Sequence, residues 1–291
     1  MNYLIHILII LQIYIILSLS LNLKTGFSGL LSLCQAAYYG TGAYLTTIFM
    51  TQLGLNFFIA MSIAVVINIL INALITTWMA GRLRNLYFTL GTMALQIIFF
   101  GVIYNWQNIT QGPFGISNIP KPAIGSMVFS STPSFFIITL FFTTLSLVFF
   151  WLFPKTPLCR MIECTRDDEI WLTVLGKNPV KFKMISISIA VTFATIAGAL
   201  YASYMSYIDP SSFNLNESIL ILTMVLVGGT GNILGPISGA VIYVLLPEVL
   251  RFVNLADSIA ANSRMIIYAL ILIIIIRFRS NGLFGKFEIK G

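Results

Sequence analysis

The sequence predicts an all-α fold, a polytopic transmembrane helical bundle of about eight or nine membrane segments, some of them broken or re-entrant. Three observations lead to that expectation. Hydrophobic residues make up 58% of the 291 and charged residues only 9%, against about 25% charged in a typical soluble domain. Mean hydropathy is +0.95, which suits a bilayer and not water. The apolar residues fall in runs of membrane-crossing length, without the alternation of barrel strands. Finally, 13 of the 16 Lys and Arg residues sit in four short polar breaks between those runs.

The hydrocarbon core needs roughly 20 apolar residues per helix. In chain order the candidate spans are 3–22, 27–50, 55–79, 86–105, 134–153 and 184–207. A glycine-interrupted region follows at 218–250, and a last helix near 262–277. The spans from 27–50 to 184–207 contain no Asp, Glu, Lys or Arg. Insertion requires this, because a mid-bilayer charge costs about 2.5–3.5 kcal/mol. The first apolar run has no positive lead-in and no small-residue cleavage site, so it is expected to remain as a membrane helix. The whole of 1–291 is expected to form one transmembrane domain.

Loop charge gives the orientation. The breaks holding Lys24, Arg82 with Arg84, Lys155 to Lys183, and Arg277 to Lys290 carry the excess, while the others hold Lys121, Arg251 and Arg264. Assigning the rich breaks to the cytoplasm puts the N-terminus outside and the C-terminus inside. Parity then requires 218–250 to cross twice or to dip in and return. The net charge of +7 follows from the same bias, so no nucleic-acid partner is expected. Cys34, Cys159 and Cys164 form no CxxC pair and have no His partner, so neither a metal site nor a structural disulfide is expected. His6, near the outer end of the first helix, reads as a packed or interfacial residue.

No Asp or Glu lies mid-span; Glu217 and Glu248 sit near span ends and Asp209 in a loop. A coupling-ion carboxylate is therefore missing from the expected places. Gly176-Lys177-Asn178 and Gly285-Lys286-Phe287 lack the Ser or Thr and the upstream glycine of a P-loop, and no HExxH or GxSxG is present. The expectation is a non-enzymatic chain with no catalytic residue and no cofactor of its own. If it drives transport, another subunit supplies the energy. The loop at 154–184 is the densest mixed-charge segment, with Arg160, Glu163, Arg166, Asp167, Asp168 and Glu169. Its stretch 160–175 is expected to form a short helix, with Gly176 as its stop and Pro179 beyond. Such a helix between two spans suits docking to a cytoplasmic partner; an ordinary solvated loop is the plainer alternative.

Two regions read as broken spans: Gly26-Phe27-Ser28-Gly29 with Gly40-Thr41-Gly42-Ala43, and Gly228-Gly229-Thr230-Gly231 with Gly235-Pro236 and Gly239. Backbone freed inside a membrane must be satisfied by protein or by a water-lined cavity. Broken helices at matching places in two halves mark solute paths in many transporters. Candidate path or hinge residues are therefore Ser32, Gln35, Gly40, Gly42, Gly228, Gly229, Thr230 and Gly231. Close helix packing through small residues is the other reading, and both readings stay open.

These residues resemble a known family. Thr25-Gly26-Phe27-Ser28-Gly29-Leu30-Leu31-Ser32-Leu33, Ala36 to Tyr44, Asn105-Trp106, Thr110-Gln111-Gly112-Pro113-Phe114-Gly115-Ile116, Arg166-Asp167-Asp168-Glu169-Ile170, Leu175-Gly176, Ala197 to Ala202, Pro210-Ser211-Ser212-Phe213, the second glycine region and Asn281-Gly282-Leu283-Phe284-Gly285 occur in its order and spacing. The chain resembles the membrane permeases of branched-chain amino acid ABC importers, in particular the LivM-type subunit. The resemblance implies alternating access powered by ATP on two cytoplasmic ABC ATPase subunits. It also implies a second related permease subunit, an external solute-binding protein, and a place in the plasma (inner) membrane. It implies ATPase coupling through Arg160, Arg166, Asp168, Glu169 and Gly176. The chain departs from the family at Cys34-Gln35, where Gly-His is usual, at Trp171-Leu172, and at Lys177-Asn178. The related urea or short-chain amide permeases share the same motifs, an importer of other amino acids is a further alternative, and a stand-alone channel or facilitator is the alternative of another class.

Overall fold

The computed structural model describes residues 2–83, 85–124, 127–129, 131–251, 270 and 282–285. Arg84, the expected helix near 262–277 apart from residue 270, and Arg264, Arg277 and Lys290 lie outside the described residues. Helix α1 (Asn2–Asn22) runs on into a π-helical turn, Leu23–Phe27. A non-helical stretch, 28–34, leads into α2 (Gln35–Gln52), followed by α3 (Phe57–Ala80) and α4 (Asn85–Asn105). Next come the short α5 (Gln107–Thr110), strand β1 (Ile116–Ser117) and a hairpin of β2 (Ala123–Ile124) and β3 (Met127–Val128). Helix α6 (Thr132–Leu152), the shorter α7 (Pro157–Asp167) and α8 (Glu169–Val174), and α9 (Pro179–Met205) follow. Strand β4 (Tyr207–Ile208) pairs antiparallel with β1, and α10 (Leu215–Gly228) and α11 (Leu234–Arg251) complete the described helices.

Local chemistry sets these boundaries. Ser131, Asn178 and Asn214 each accept a hydrogen bond from a backbone N–H in the first turn of α6, α9 and α10. Capping of this kind satisfies donors that a helix start leaves orphaned. Pro133 and Pro179 lie in the first turn of α6 and α9, where a missing N–H costs nothing. Helices Tyr3–Phe27, Phe57–Ile75, Leu86–Asn105, Thr132–Lys155 and Pro179–Met205 are long and apolar enough to cross a membrane. The all-α polytopic bundle expected from the sequence is the fold observed.

Helix α1 is the central post. Ile9, Ile13, Ile16, Leu17 and Leu21 are buried in it, and α6, α9, α10 and α11 all pack on it. Helix α2 lies chiefly on α9 and α3. The α2–α9 contact is close because two glycines face backbone across it. A Cβ on Gly42 would lie 2.6 Å from Thr195 Cα, and one on Gly198 would lie 2.1 Å from the Tyr39 carbonyl oxygen. Small residues allow this approach where lipid offers no hydrophobic drive. Helices α3 and α4 are peripheral and turn Leu70, Leu74, Leu90, Ile97 and Ile98 outward. The region 218–250 descends along α1 as α10 and returns as α11. Tyr14 donates to Glu217, Gly231 N donates to Asn22, and Tyr3 near the start of α1 donates to Glu248.

Two expectations change. The stretch 160–175 is not one helix: it breaks at Asp168, whose backbone is extended (φ −159°, ψ 108°) and whose carboxylate caps α8. Asp is a weak helix-interior residue and a strong N-cap, so its side chain starts a second helix instead of continuing the first. Lys24, assigned to a polar cytoplasmic break, is 0% exposed. The helix does not end at Asn22 but widens into the π turn, and Lys24 there is buried in the bundle.

Candidate functional site

The two glycine regions meet, at Gly26 and not at Gly40 or Gly42. A Cβ on Gly26 would lie 2.4 Å from Gly231 N. Asn22, one turn earlier, accepts from Gly231 N at 3.0 Å and donates to the Asn232 carbonyl at 2.9 Å. Ser18 donates to the Pro236 carbonyl at 3.1 Å. The freed backbone of the 229–233 break is thus satisfied by side chains of α1. The described end of the tail closes over the same break: Leu283 N and Phe284 N donate to the carbonyls of Val227 and Gly228 at 3.1 and 2.9 Å. Gly229 and Gly231 hold φ of 103° and 77°, which a side chain would strain. Gly228 packs backbone to backbone on Gly235 across the α10–α11 turn, and Thr230 is buried.

Gly40 and Gly42 lie elsewhere. Gly40 receives the ring of Phe213, and Gly42 receives α9 at Thr195. Phe213 comes from the segment between β4 and α10 and sits among Tyr39, Tyr44 and Tyr201, with ring centroids 5.0, 6.0 and 6.0 Å away. Ser32 and Gln35 flank the start of α2. The Ser32 hydroxyl lies 3.3 Å from Cys34 Sγ, and Gln35 Nε2 donates to Ser20 Oγ at 2.6 Å. Ser32, Cys34, Tyr38 and Thr92 line a cavity of about 10 Å³, room for about one water.

The sequence reading passed over the amides. Asn68 bridges three helices: Nδ2 donates to Thr195 Oγ1 at 2.7 Å and to the Tyr38 carbonyl at 3.2 Å, and Oδ1 accepts from Thr41 at 2.9 Å. Asn72 accepts from the Tyr38 hydroxyl at 2.9 Å. Gln96 on α4 accepts from Ala37 N at 2.7 Å and Ser218 Oγ at 3.0 Å, and donates to the Phe213 carbonyl at 2.8 Å. It therefore ties the starts of α2 and α10 together. Beside it, Ile97, Phe100 and residues Asn214 to Asn216 border a cleft of about 220 Å³. A signal was available: Asn68 and Asn72 stand four residues apart on one face of an otherwise apolar span.

The coupling candidates divide. Arg166 Nη1 donates to the Gly26 carbonyl at 2.8 Å, and its guanidinium also pairs with Asp167 at 2.9 Å. Its stem packs on Gly29. This side chain joins α7 directly to the π turn and the break. Asp168 caps α8, accepting from Ile170 N at 2.8 Å. Glu169 pairs with the buried Lys183. Gly176 ends the segment at φ +71°, with Lys177 N donating to the Leu172 carbonyl at 2.9 Å. Arg160 is exposed. Beside these charges Ile170 and Val174 are each 73% exposed and Trp171 and Leu175 nearly as much, while Leu172 is buried.

Residues 3–275 match a family described as branched-chain amino acid transport system / permease component. The chain belongs to that family. It is 33% identical over 266 residues to the high-affinity branched-chain amino acid transport system permease protein LivM of Salmonella typhimurium. To LivM of Escherichia coli K12 the identity is 34% over 266 residues. Each alignment covers 84% of this chain and 62% of the relative, so the chain spans less than two thirds of those relatives' length. A probable LivM of Methanocaldococcus jannaschii is 28% identical over 272 residues, 82% of this chain and 78% of the relative. In this member of the family the glycine breaks, the Gln96 hub and the Arg166 contact stand as parts of one helical bundle.

Proposed function

We propose that this chain is the membrane-spanning permease subunit of an ATP-driven importer for branched-chain amino acids. It forms a single permease domain and does no chemistry itself. Two cytoplasmic ABC ATPases hydrolyse the ATP, a related permease subunit completes the pore, and an external binding protein delivers the solute. The N-terminus faces outside and the C-terminus faces the cytoplasm.

The observation that carries this reading is the Arg166 contact with the Gly26 carbonyl. A displacement of α7 by a partner acts directly on the turn where the two broken spans meet. The exposed apolar face of α8, formed by Ile170, Trp171, Val174 and Leu175, suits a desolvated protein contact. Alternating access follows if the partner binds two positions of α7–α8 with different affinity, since a ligand shifts only the states that it distinguishes. The apolar walls and backbone dipoles of the interior suit a branched aliphatic solute.

Co-expression with candidate ATPase, permease and binding-protein subunits, followed by reconstitution into vesicles, tests this reading. The expected result is co-purification of the ATPases and ATP-dependent leucine uptake that requires the binding protein. Leucine flux down its gradient without ATP or partners would establish a facilitator instead.

A further inference from the structure

Two lysines are buried in the described structure. Lys183 has Glu169 as its partner. Lys24 has none: its side chain is 0% exposed and its Nζ meets no hydrogen-bond acceptor among the described residues. The Tyr38 ring lies beneath it, 5.1 Å to the centroid. Attraction to a ring face recovers only part of what an ammonium loses on leaving water. An ionisable group inside a membrane bundle marks a functional site whose partner has to be named.

The surroundings name it. Lys24 stands one helical turn beyond Ser20, and Tyr38 one turn beyond Gln35. The two pairs face each other across one seam, Ser20 against Gln35 and Lys24 against Tyr38. In that seam Gln35 Oε1 is a second buried orphan, an acceptor without a donor. Helix α2 begins there; its cap residue Cys34 makes no side-chain cap bond, and its first N–H groups, those of Ala36 and Ala37, are already held by Ser218 Oγ and Gln96 Oε1, so they do not compete for a ligand. Tyr38, Ser32 and Cys34 also line the water-sized cavity. The seam therefore sets a buried cation on the α1 side opposite a hydroxyl and an unsatisfied acceptor on the α2 side.

We infer that this seam is the head-group subsite for an α-amino acid zwitterion, with Lys24 receiving the carboxylate and Gln35 Oε1 the ammonium. The inference rests on the solute reading above and adds the residues that recognise the solute's charged end. In the present conformation the subsite is collapsed. Its opening requires the π turn Leu23–Phe27 to move, and that turn is the one Arg166 holds through Gly26. The ATPases thereby control when Lys24 is offered to solute. An uncharged urea or amide would accept a hydrogen bond from Lys24 but bring no counter-charge.

The test uses the complete complex in vesicles, with Lys24→Met, Lys24→Arg and Gln35→Leu. Lys24→Met is expected to lower leucine uptake about tenfold or more, the loss of a charge-assisted bond. ATP hydrolysis stimulated by loaded binding protein should stay within about twofold, and the melting temperature should hold or rise because an orphan charge has gone. Lys24→Arg should retain more uptake than Lys24→Met, and Gln35→Leu should raise the KM for leucine more than it lowers kcat. Leucine uptake by Lys24→Met within about twofold of wild type overturns the subsite. So does a parallel fall of uptake, ATP hydrolysis and melting temperature, which would make Lys24 a structural residue. A wild-type complex that carries an uncharged amide and not leucine overturns the solute reading together with the subsite.

Discussion

Cys159 and Cys164 lie on one helix and differ in reactivity. Cys159 is buried and Cys164 exposed. Burial, with the nearby Glu163 charge adding to it, pushes the Cys159 thiol up to about 12, so at neutral pH almost no thiolate is present to react. Maleimide applied to permeabilised vesicles should therefore label Cys164 within minutes and Cys159 only after denaturation. Equal labelling of both would show that α7 is not seated on α9. Asp168 carries a different lesson. As the cap of α8 its replacement by Ala should cost about 1 kcal/mol of local stability, and reversal to Lys adds a cation at a helix N-terminus. Loss of coupling in such a variant reports on α8 as much as on docking. Ile170 and Trp171 are the cleaner probes, being exposed and outside the cap. The double change to Ser should lower ATPase co-purification about tenfold at unchanged permease yield; full retention would move the docking surface off α8.

At the scale of elements, the α2–α3–α9 packing depends on one amide. Asn68 makes three bonds across helices. Bonds of this kind in membranes average about 0.6 kcal/mol, so Asn68→Leu should destabilise the fold by about 1–2 kcal/mol. Unfolding of the purified complex in detergent and denaturant measures that, and a neutral result would mean the three bonds are replaced by better packing. The glycines divide by the same reasoning. Gly42 abuts the backbone of α9, so Gly42→Leu should lower assembled yield, not only transport. Gly229 is required by its backbone angle, and Gly229→Leu strains the turn that Asn22 and the tail hold. Neither glycine by itself separates a hinge from a packing point, whereas at Lys24 the melting temperature and ATP hydrolysis separate a binding role from a structural one.

For the whole molecule, Phe114 and Lys177 occupy opposite ends of the bundle. Phe114 is 83% exposed in the segment between α4 and α6, and Lys177 is exposed between α8 and α9. With the N-terminus outside, Phe114→Cys should react with an impermeant thiol reagent in intact cells and Lys177→Cys only after permeabilisation, in a Cys34, Cys159 and Cys164 replaced background. The reverse pattern would invert the orientation. Lys121 belongs to the same outer end by this assignment. There it donates to the carbonyls of Ser203 and Tyr204 at 3.0 and 2.7 Å, and burial lowers its pKa. A cation on the last carbonyls of α9 is a helix-end device, which explains a positive residue on the side that is otherwise poor in them.

The sequence by itself determined the class of this protein, because bilayer insertion is a sum over residues. Run length, the absence of mid-span charge and the bias of Lys and Arg are each local quantities, and run length recovered the described long spans to within a few residues, except that the span expected from 27 begins as helix only at Gln35. The glycine regions were legible only in part: the stretches after Gly26 and after Gly228 interrupt their helices, while Gly40 and Gly42, expected as part of a break, lie inside α2, and Gly239 lies inside α11. The tertiary structure alone decided which break meets which. Gly26 pairs with Gly231, Gly42 with Thr195 and Gly40 with Phe213, contacts between residues far apart in the chain that no local pattern encodes. It alone decided that Lys24 is inside, since a lysine at the edge of an apolar run has the same hydropathy whether the helix stops at Asn22 or continues as a π turn. It alone joined Arg166 to Gly26, the link through which a cytoplasmic loop reaches the membrane interior, because such coupling depends on distance in space and not on distance along the chain.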